Sequence, residues 1–246
     1  MRRISSISAF ILSLLLCFLL TSCSTENTTP EDPVYVEMQT DITVSSGKAE
    51  DYIQRDEYGY TVTRISVEIK GKAELTSLIN TELEEWLKYG METCDTLIPT
   101  EGSADRTYRL VNSITYNAGG LLSLRCSVDH SEYGETTSRT LKSAVWDVGR
   151  GEKITPLMML DMSETDYENF LTMNIDPIVS AHPALYPKYL VNGAGTYSEY
   201  VDYYIIDNSV YLYSINKDIK YSIEDISFKA AFKDMPELFR YDISAK

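Results

Sequence analysis

The sequence predicts an α+β fold in which two principal helices pack on a mainly antiparallel sheet. Three features of the 246 residues indicate this fold. Several segments alternate apolar and polar residues with the two-residue period of a strand. Two other segments space their apolar residues as an amphipathic helix does. Short turn sequences join successive strands, which favours antiparallel hairpins.

Two strands and a helix are predicted in the first part of the domain. Residues 34–44 and 60–69 are rich in β-formers that alternate with polar residues, and a slip in phase near Arg64 indicates a β-bulge. A helix follows because six apolar residues recur at helical spacing, and Gly90 is expected to fray or end it. These six residues are Leu75, Leu78, Ile79, Leu83, Trp86 and Leu87.

Hairpin strands are predicted next. Residues 108–116 and 122–128 alternate cleanly, and the turn sequence at 117–120 joins them as an antiparallel pair. The regular alternation of 122–128 is typical of a half-buried strand, with apolar residues inward and polar residues in water. A polar connection over 131–138 then leads to a further strand over 141–147.

The second principal helix is predicted to begin after Ser163. Asp166 lies three residues beyond that serine, and the two side chains have the spacing of a capping box. Pro177 lacks a backbone N–H, so it is expected to break or kink the helix, or to restart it with Asp176 as the cap.

A tyrosine-rich hairpin and a last strand complete the fold. The hairpin pairs 200–206 with 209–215 around the turn Asp207–Asn208, and the last strand covers 226–232. An exposed tyrosine face could stack on sugar rings or anchor a protein partner, whereas a buried face would be sheet core. The core interpretation is favoured. The candidate binding surface comprises Tyr200, Tyr204, Tyr211, Tyr213, His130 and Tyr133.

The first residues have the three zones of a secretory signal peptide. Arg2 and Arg3 are positive, and residues 9–20 form an apolar run that is shorter than the roughly 20 residues needed to span a bilayer. Leu20-Thr21-Ser22-Cys23 then resembles the lipobox of bacterial lipoproteins, in which the cysteine receives a lipid. We therefore expect a lipid anchor at Cys23, on the outer face of a bacterial membrane. The alternative is an ordinary signal peptide.

These features divide the chain into a signal peptide (1–22), a flexible tether (23–33) and one α+β domain (34–246). The tether is polar, with two prolines and no large apolar residue, so it cannot bury enough surface to order itself. Residues 34–70 are a candidate small N-terminal subdomain. Without the signal peptide the chain carries 37 acidic residues against 20 Lys and Arg, or about −17.

That charge excludes some partners and favours others. Nucleic-acid phosphates attract Lys and Arg, so we expect no nucleic-acid partner. A cationic protein or peptide would be attracted, although solubility alone also explains an acidic surface. Two cysteines remain in the domain, and an exported protein meets an oxidising environment in which they can form a disulfide. Cys94 and Cys126 are therefore either a disulfide or two buried thiols.

No catalytic or cofactor motif is present. The two histidines, His130 and His182, lie outside any zinc-ligand spacing, and no Gly-x-Ser-x-Gly elbow exists. We expect no metal and no cofactor. A glycosidase that uses a carboxylate pair stays open, because 37 acidic residues always offer some pair.

Three stretches together resemble the extracytoplasmic domain of RsiV-type anti-sigma factors and PdaC-type peptidoglycan deacetylases. They are the strand-to-helix passage 69–86, the strand 121–128 with the later Trp146–Thr155 turn, and the hairpin 203–213. The chain departs from the family at 130–134, where members carry a Gly-Gly-Ala-His-like segment, so a ligand role for that loop is in doubt.

The resemblance implies a sensing or binding module of the cell envelope. In relatives such modules face peptidoglycan, and one type binds lysozyme. We therefore expect a non-enzymatic lipoprotein with a sensing or protective role, whose domain binds an envelope ligand such as peptidoglycan or a cationic protein such as lysozyme. Two alternatives are a carbohydrate-active enzyme that uses a carboxylate pair and a structural envelope lipoprotein without a small ligand.

Overall fold

The fold is α+β, as predicted, with two sheets and two main helices. The structure is a computed structural model. All of the residues that it describes fall within one compact unit, Val34–Lys246. The described residues are 35–37, 42–55, 58–97, 106–132, 135–181, 197–214 and 227–244.

The larger sheet has six strands in sequence order. Neighbouring strands are antiparallel except for β2 and β3, which run parallel. A parallel pair needs a crossover connection, and helix α1 (Ala73–Leu97) lies in it. The strands are β1 (Val44–Arg55), β2 (Tyr58–Ile69), β3 (Arg106–Ala118), β4 (Leu121–Glu132), β5 (Glu135–Asp147) and β6 (Glu152–Ile154).

The elements after β6 form the second part of the fold. It contains a three-stranded antiparallel sheet, the short helix α2 and the longer helix α3. Single 3₁₀ turns lie at Tyr197–Tyr200 and Pro236–Leu238. The elements are α2 (Pro156–Met159), α3 (Glu164–Ala181), β7 (Val201–Ile206), β8 (Ser209–Ser214) and β9 (Ser227–Ala231).

The six-stranded sheet separates two hydrophobic cores. On one face, Ile79, Leu83 and Leu87 of α1 pack against apolar side chains of β2 to β5. On the other face, α3 and the three-stranded sheet pack together with a few apolar residues of β3 to β6. Successive residues of β4 point to opposite faces, so Leu121 and Leu122 belong to different cores.

The first helix is longer than predicted. Most of the apolar residues that the helical spacing places on one face are buried, but Leu78 is 54% exposed. Gly90 does not end the helix, so that prediction is wrong. A Cβ atom on Gly90 would lie 2.5 Å from Cδ1 of Leu110, which shows that glycine lets α1 approach β3 closely.

Several local predictions are confirmed. The Ser163 hydroxyl accepts the N–H of Asp166 at 3.1 Å and donates to its carboxylate at 2.6 Å, at the start of α3. Gly119 and Gly120 have positive φ in the β3–β4 turn. Asp207 and Asn208 also have positive φ, between β7 and β8. Asn and Asp tolerate this backbone region better than most residues, and glycine adopts it freely.

Other predictions about the strands are wrong. The first strand begins only at Val44, and its pairing with β2 runs without interruption past Arg64, so no bulge lies there. The described residues of the predicted connection 131–138 belong to the ends of β4 and β5, and residues 133 and 134 lie outside the described range. The break predicted at Pro177 is also wrong, because Pro177 lies inside α3, which continues to Ala181. The strand pairing instead shifts by one residue at Thr115 of β3 and at Leu141 of β5.

Candidate functional site

The candidate site lies where the second sheet meets the larger one. One side of β4 carries Ser123, Arg125 and Ser127, which we call the serine face of β4. The half-buried interpretation of this strand is wrong, because Ser123 and Ser127 are fully buried. Strand β7 of the second sheet lies against β3, β4 and β5 on this side and excludes water from much of it.

Strand β7 is an edge strand whose outward backbone groups bond to serine hydroxyls. The Ile205 N–H donates to Oγ of Ser123 at 2.9 Å, and the Ser143 hydroxyl donates to the Tyr203 carbonyl at 2.6 Å. Buried backbone groups without a partner destabilise a protein, so an edge strand that meets another sheet needs such side chains. These serines join the two sheets.

The tyrosine hairpin contributes mostly to this interior. Tyr204 and Tyr213 are 5% and 2% exposed, which favours the core interpretation for both, while Tyr211 is half-buried. The Tyr204 ring stacks on Tyr211 with centroids 5.1 Å apart. The side chain of Tyr200 and all of Tyr133 lie outside the described residues.

A half-buried carboxylate, Asp202, adjoins these rings. Burial raises the pKa of its carboxyl, while hydrogen bonds from the Tyr203 N–H and the Tyr213 hydroxyl and the charge of Lys142 lower it in part. Burial next to Asp202 also raises the pKa of the Tyr213 phenol well above its usual value. Tyr213 therefore keeps its proton near neutral pH and remains a hydrogen-bond donor to Asp202, at 3.3 Å.

Arg125 lies on the opposite wall of the same region. Its guanidinium carbon is 5.3 Å from the Tyr204 ring centroid, a distance typical of a cation–π contact. One N–H also donates to the Tyr204 hydroxyl at 3.5 Å, which is long for a hydrogen bond. The sequence did not single out Arg125, because an alternating polar residue on a strand usually faces water.

His130 lies elsewhere on the larger sheet. Its ring stacks on Tyr108 of β3 with centroids 4.9 Å apart, and both side chains are half-buried. Cys126 is buried against α1, where its sulfur lies 3.8 Å from the Trp86 carbonyl oxygen. The side chain of Cys94 lies outside the described residues, so the disulfide stays a prediction.

The turn between β5 and β6, which carries much of the family resemblance, joins the sheet to α1. The buried Asp147 carboxylate accepts the Arg150 N–H at 3.0 Å. Lys153 pairs with Glu82 of α1 and lies over the Trp146 ring. These contacts give Asp147 and Lys153 structural roles in holding the turn and α1 together.

The residues that the structure describes contain neither a metal cluster nor a membrane-spanning helix. No group of three His, Cys, Asp or Glu side chains there could hold a metal ion. Within the same residues, none of the helices is both long enough and apolar enough to cross a membrane.

No family model and no curated protein matches the chain. Among solved structures, it is similar to crystal structures of DUF3298 family proteins from Pseudomonas aeruginosa PAO1 and Bacteroides fragilis NCTC 9343. Each is 11% identical with a TM-score of 0.43, and the match covers 83% of this chain and 97% and 96% of theirs.

Proposed function

We propose that this chain is a non-catalytic lipoprotein, anchored through Cys23 on the outer face of a bacterial membrane, whose acidic domain binds a cationic protein in a sensing or protective role. Lysozyme represents this class of partner, because it is a small and strongly basic protein that acts on bacterial envelopes. Peptidoglycan is the other envelope ligand that the resemblance to RsiV and PdaC domains suggests.

The observation that carries the anchor is the position of the lipobox-like sequence. Cys23 directly follows two small residues and the apolar run 9–20, and a polar tether of about ten residues separates it from the domain. One acyl chain holds a protein only marginally at a membrane, whereas a lipoprotein cysteine carries two or three. Such an anchor keeps the domain at the envelope.

The observation that supports a cationic partner is uncompensated negative charge on the surface of the domain. On the outer side of α1, Glu74, Glu85 and Glu92 are exposed and form no ion pair with other described residues. Glu84, by contrast, is held by Arg64 at 2.8 Å. Uncompensated charge of one sign speeds the encounter with a partner of the opposite sign.

The anchor predicts a change of location in a Cys23→Ala variant. We expect the full chain produced in bacteria to incorporate labelled fatty acid and to partition with membranes, and the variant to lose both properties because no thiol accepts the lipid. Fatty-acid labelling and detergent phase partition measure this. Unchanged labelling of the Cys23→Ala variant would contradict the anchor, and Cys126→Ala serves as the control cysteine variant.

The partner is tested by calorimetry of residues 24–246 with lysozyme at low and moderate salt. We expect binding that weakens as salt rises, because salt screens exposed charges. A triple Glu74, Glu85 and Glu92→Gln variant should bind at least about threefold more weakly, since each exposed ion pair contributes ~0.2–1 kcal/mol and three together contribute ~0.6–3 kcal/mol. Purified peptidoglycan, tested by sedimentation, is the second arm.

A matched control separates the α1 surface from total charge. Glu164→Gln, Asp234→Asn and Glu237→Gln together remove the same three charges from exposed positions outside α1. Equal weakening by both triple variants would mean that total charge alone attracts the partner. Absence of any heat with lysozyme at low salt would overturn the cationic partner, and binding to peptidoglycan would then remain to define the ligand.

A further inference from the structure

Arg125 has no carboxylate partner among the residues that the structure describes. Arg64, Arg109, Arg150 and Arg240 each form an ion pair with Asp or Glu. Arg125 forms none with the residues that the structure describes, and its single side-chain hydrogen bond is the 3.5 Å contact with Tyr204. Its Nε atom is buried without an acceptor. A guanidinium has five N–H donors, so most of those of Arg125 have no acceptor among the described residues.

Ser127 is a second unsatisfied group on the same face. Its side chain is fully buried, and its hydroxyl has no hydrogen-bond partner among the described residues. Ser127 and Arg125 are two residues apart on β4, so both side chains leave the same face about 7 Å apart along the strand. The neighbouring Ser123, by contrast, bonds to both Ile205 and Thr115.

We propose that Arg125, Ser127 and the Tyr204 ring form a subsite for one carboxylate group of a bound ligand. A carboxylate has acceptor lone pairs for several donors, and a guanidinium can bind it through two parallel N–H bonds. The Ser127 hydroxyl supplies a further donor. Rotation of the long Arg125 side chain, which is only half-buried, brings the buried Nε–H to the ligand.

The charge of the whole domain limits the class of ligand. About 17 net negative charges repel a polyanion, so the carboxylate is the only negative group of the ligand. Tyr204 and Tyr211 stack at the same place, and aromatic faces of this kind pack against sugar rings or apolar groups. The class is therefore a saccharide or short peptide that bears a single carboxylate. This subsite is independent of the charge-steered partner proposed above, because it binds the opposite charge.

Two sugars with the same ring test the proposal. N-acetylmuramic acid carries a lactyl carboxylate, and N-acetylglucosamine lacks it. Residues 24–246, labelled with ¹⁵N, are titrated with each sugar while the Arg125 Nε–H resonance is followed. We expect a saturable shift with N-acetylmuramic acid, with a dissociation constant in the millimolar range, and no comparable shift with N-acetylglucosamine.

Four variants identify the residues that bind. Arg125→Gln and Arg125→Lys should each weaken N-acetylmuramic acid binding about tenfold. Glutamine removes the positive charge, and lysine keeps the charge but lacks the planar guanidinium that binds a carboxylate through two parallel N–H bonds. Ser127→Ala should weaken it severalfold while thermal stability stays the same or rises, since the change removes an unsatisfied buried hydroxyl. A purely structural serine would not affect binding. Arg240→Gln, whose ion pair lies elsewhere, should bind normally.

Three results would overturn the carboxylate subsite. One is the absence of a saturable shift with N-acetylmuramic acid. Another is equal binding of the two sugars. The third is unchanged binding in both Arg125 variants while their amide spectra show the native fold. None of these results bears on lysozyme binding or on the lipid anchor, so failure of the subsite is distinguishable from failure of the proposed function.

Discussion

Replacement of Gly90 with valine is expected to destabilise the domain by about 3 kcal/mol. A Cβ atom there would lie 2.5 Å from Cδ1 and 3.1 Å from Cδ2 of Leu110, and Leu110 is completely buried beneath α1. Either the helix must move away from β3 or Leu110 must leave its position, and both changes disturb the core. The midpoint of urea-induced unfolding measures the effect.

Two further variants separate the close approach from helix propensity. Lys88→Val places the same β-branched residue at an exposed position of the same helix, where we expect a loss below about 1 kcal/mol. Gly90→Val combined with Leu110→Ala should cost less than the sum of the two single changes, because the shortened side chain makes room. Equal effects of Gly90→Val and Lys88→Val would show that α1 does not need glycine here.

Ser123→Ala is the second change with a large expected effect, a destabilisation of about 1–3 kcal/mol. It removes the acceptor of the buried Ile205 N–H and the partner of the Thr115 hydroxyl, at 2.9 Å each. The Ile205 N–H cannot bond to water instead, since Ile205 and Ser123 are both completely buried. The half-buried Thr115 hydroxyl keeps the Ser123 carbonyl as an acceptor at 3.3 Å. Chemical denaturation gives the total effect.

Hydrogen exchange shows whether the edge of β7 is the cause. The Ile205 amide should exchange much faster in Ser123→Ala, whereas the amides inside the β7–β8 ladder keep most of their protection. Ser113→Ala is the matched control, because its hydroxyl donates at 3.3 Å to the Arg125 carbonyl from a half-buried position. Unchanged Ile205 exchange in the Ser123 variant would contradict the role of this hydroxyl.

Local patterns determined much of this fold. The strand at 60–69, the β3–β4 hairpin, the tyrosine hairpin and the Ser163 cap are where the sequence predicts them. Each depends on residues close in sequence: a two-residue alternation, a turn that accepts positive φ, or a hydroxyl that meets a nearby N–H. Such interactions form in the same way whatever the rest of the chain does.

The candidate site could not be predicted in the same way. An alternation of Ser123, Arg125 and Ser127 with apolar residues has the pattern of a strand with one face in water. Whether that face meets water or a second sheet depends on β7, about eighty residues later in the chain. No local pattern reports such a contact.

The sequence by itself determined the acidic charge and the identity of most helices and strands, because these follow from composition and short-range periodicity, and it predicts the signal peptide in the same way. Only the tertiary structure decided that Gly90 lies inside α1, since the reason is a side chain on β3. It also decided that Arg125 and Ser127 lie in a partly enclosed region with unused donors. Burial depends on which distant segments pack together, and that choice minimises the free energy of the whole chain rather than of any one segment.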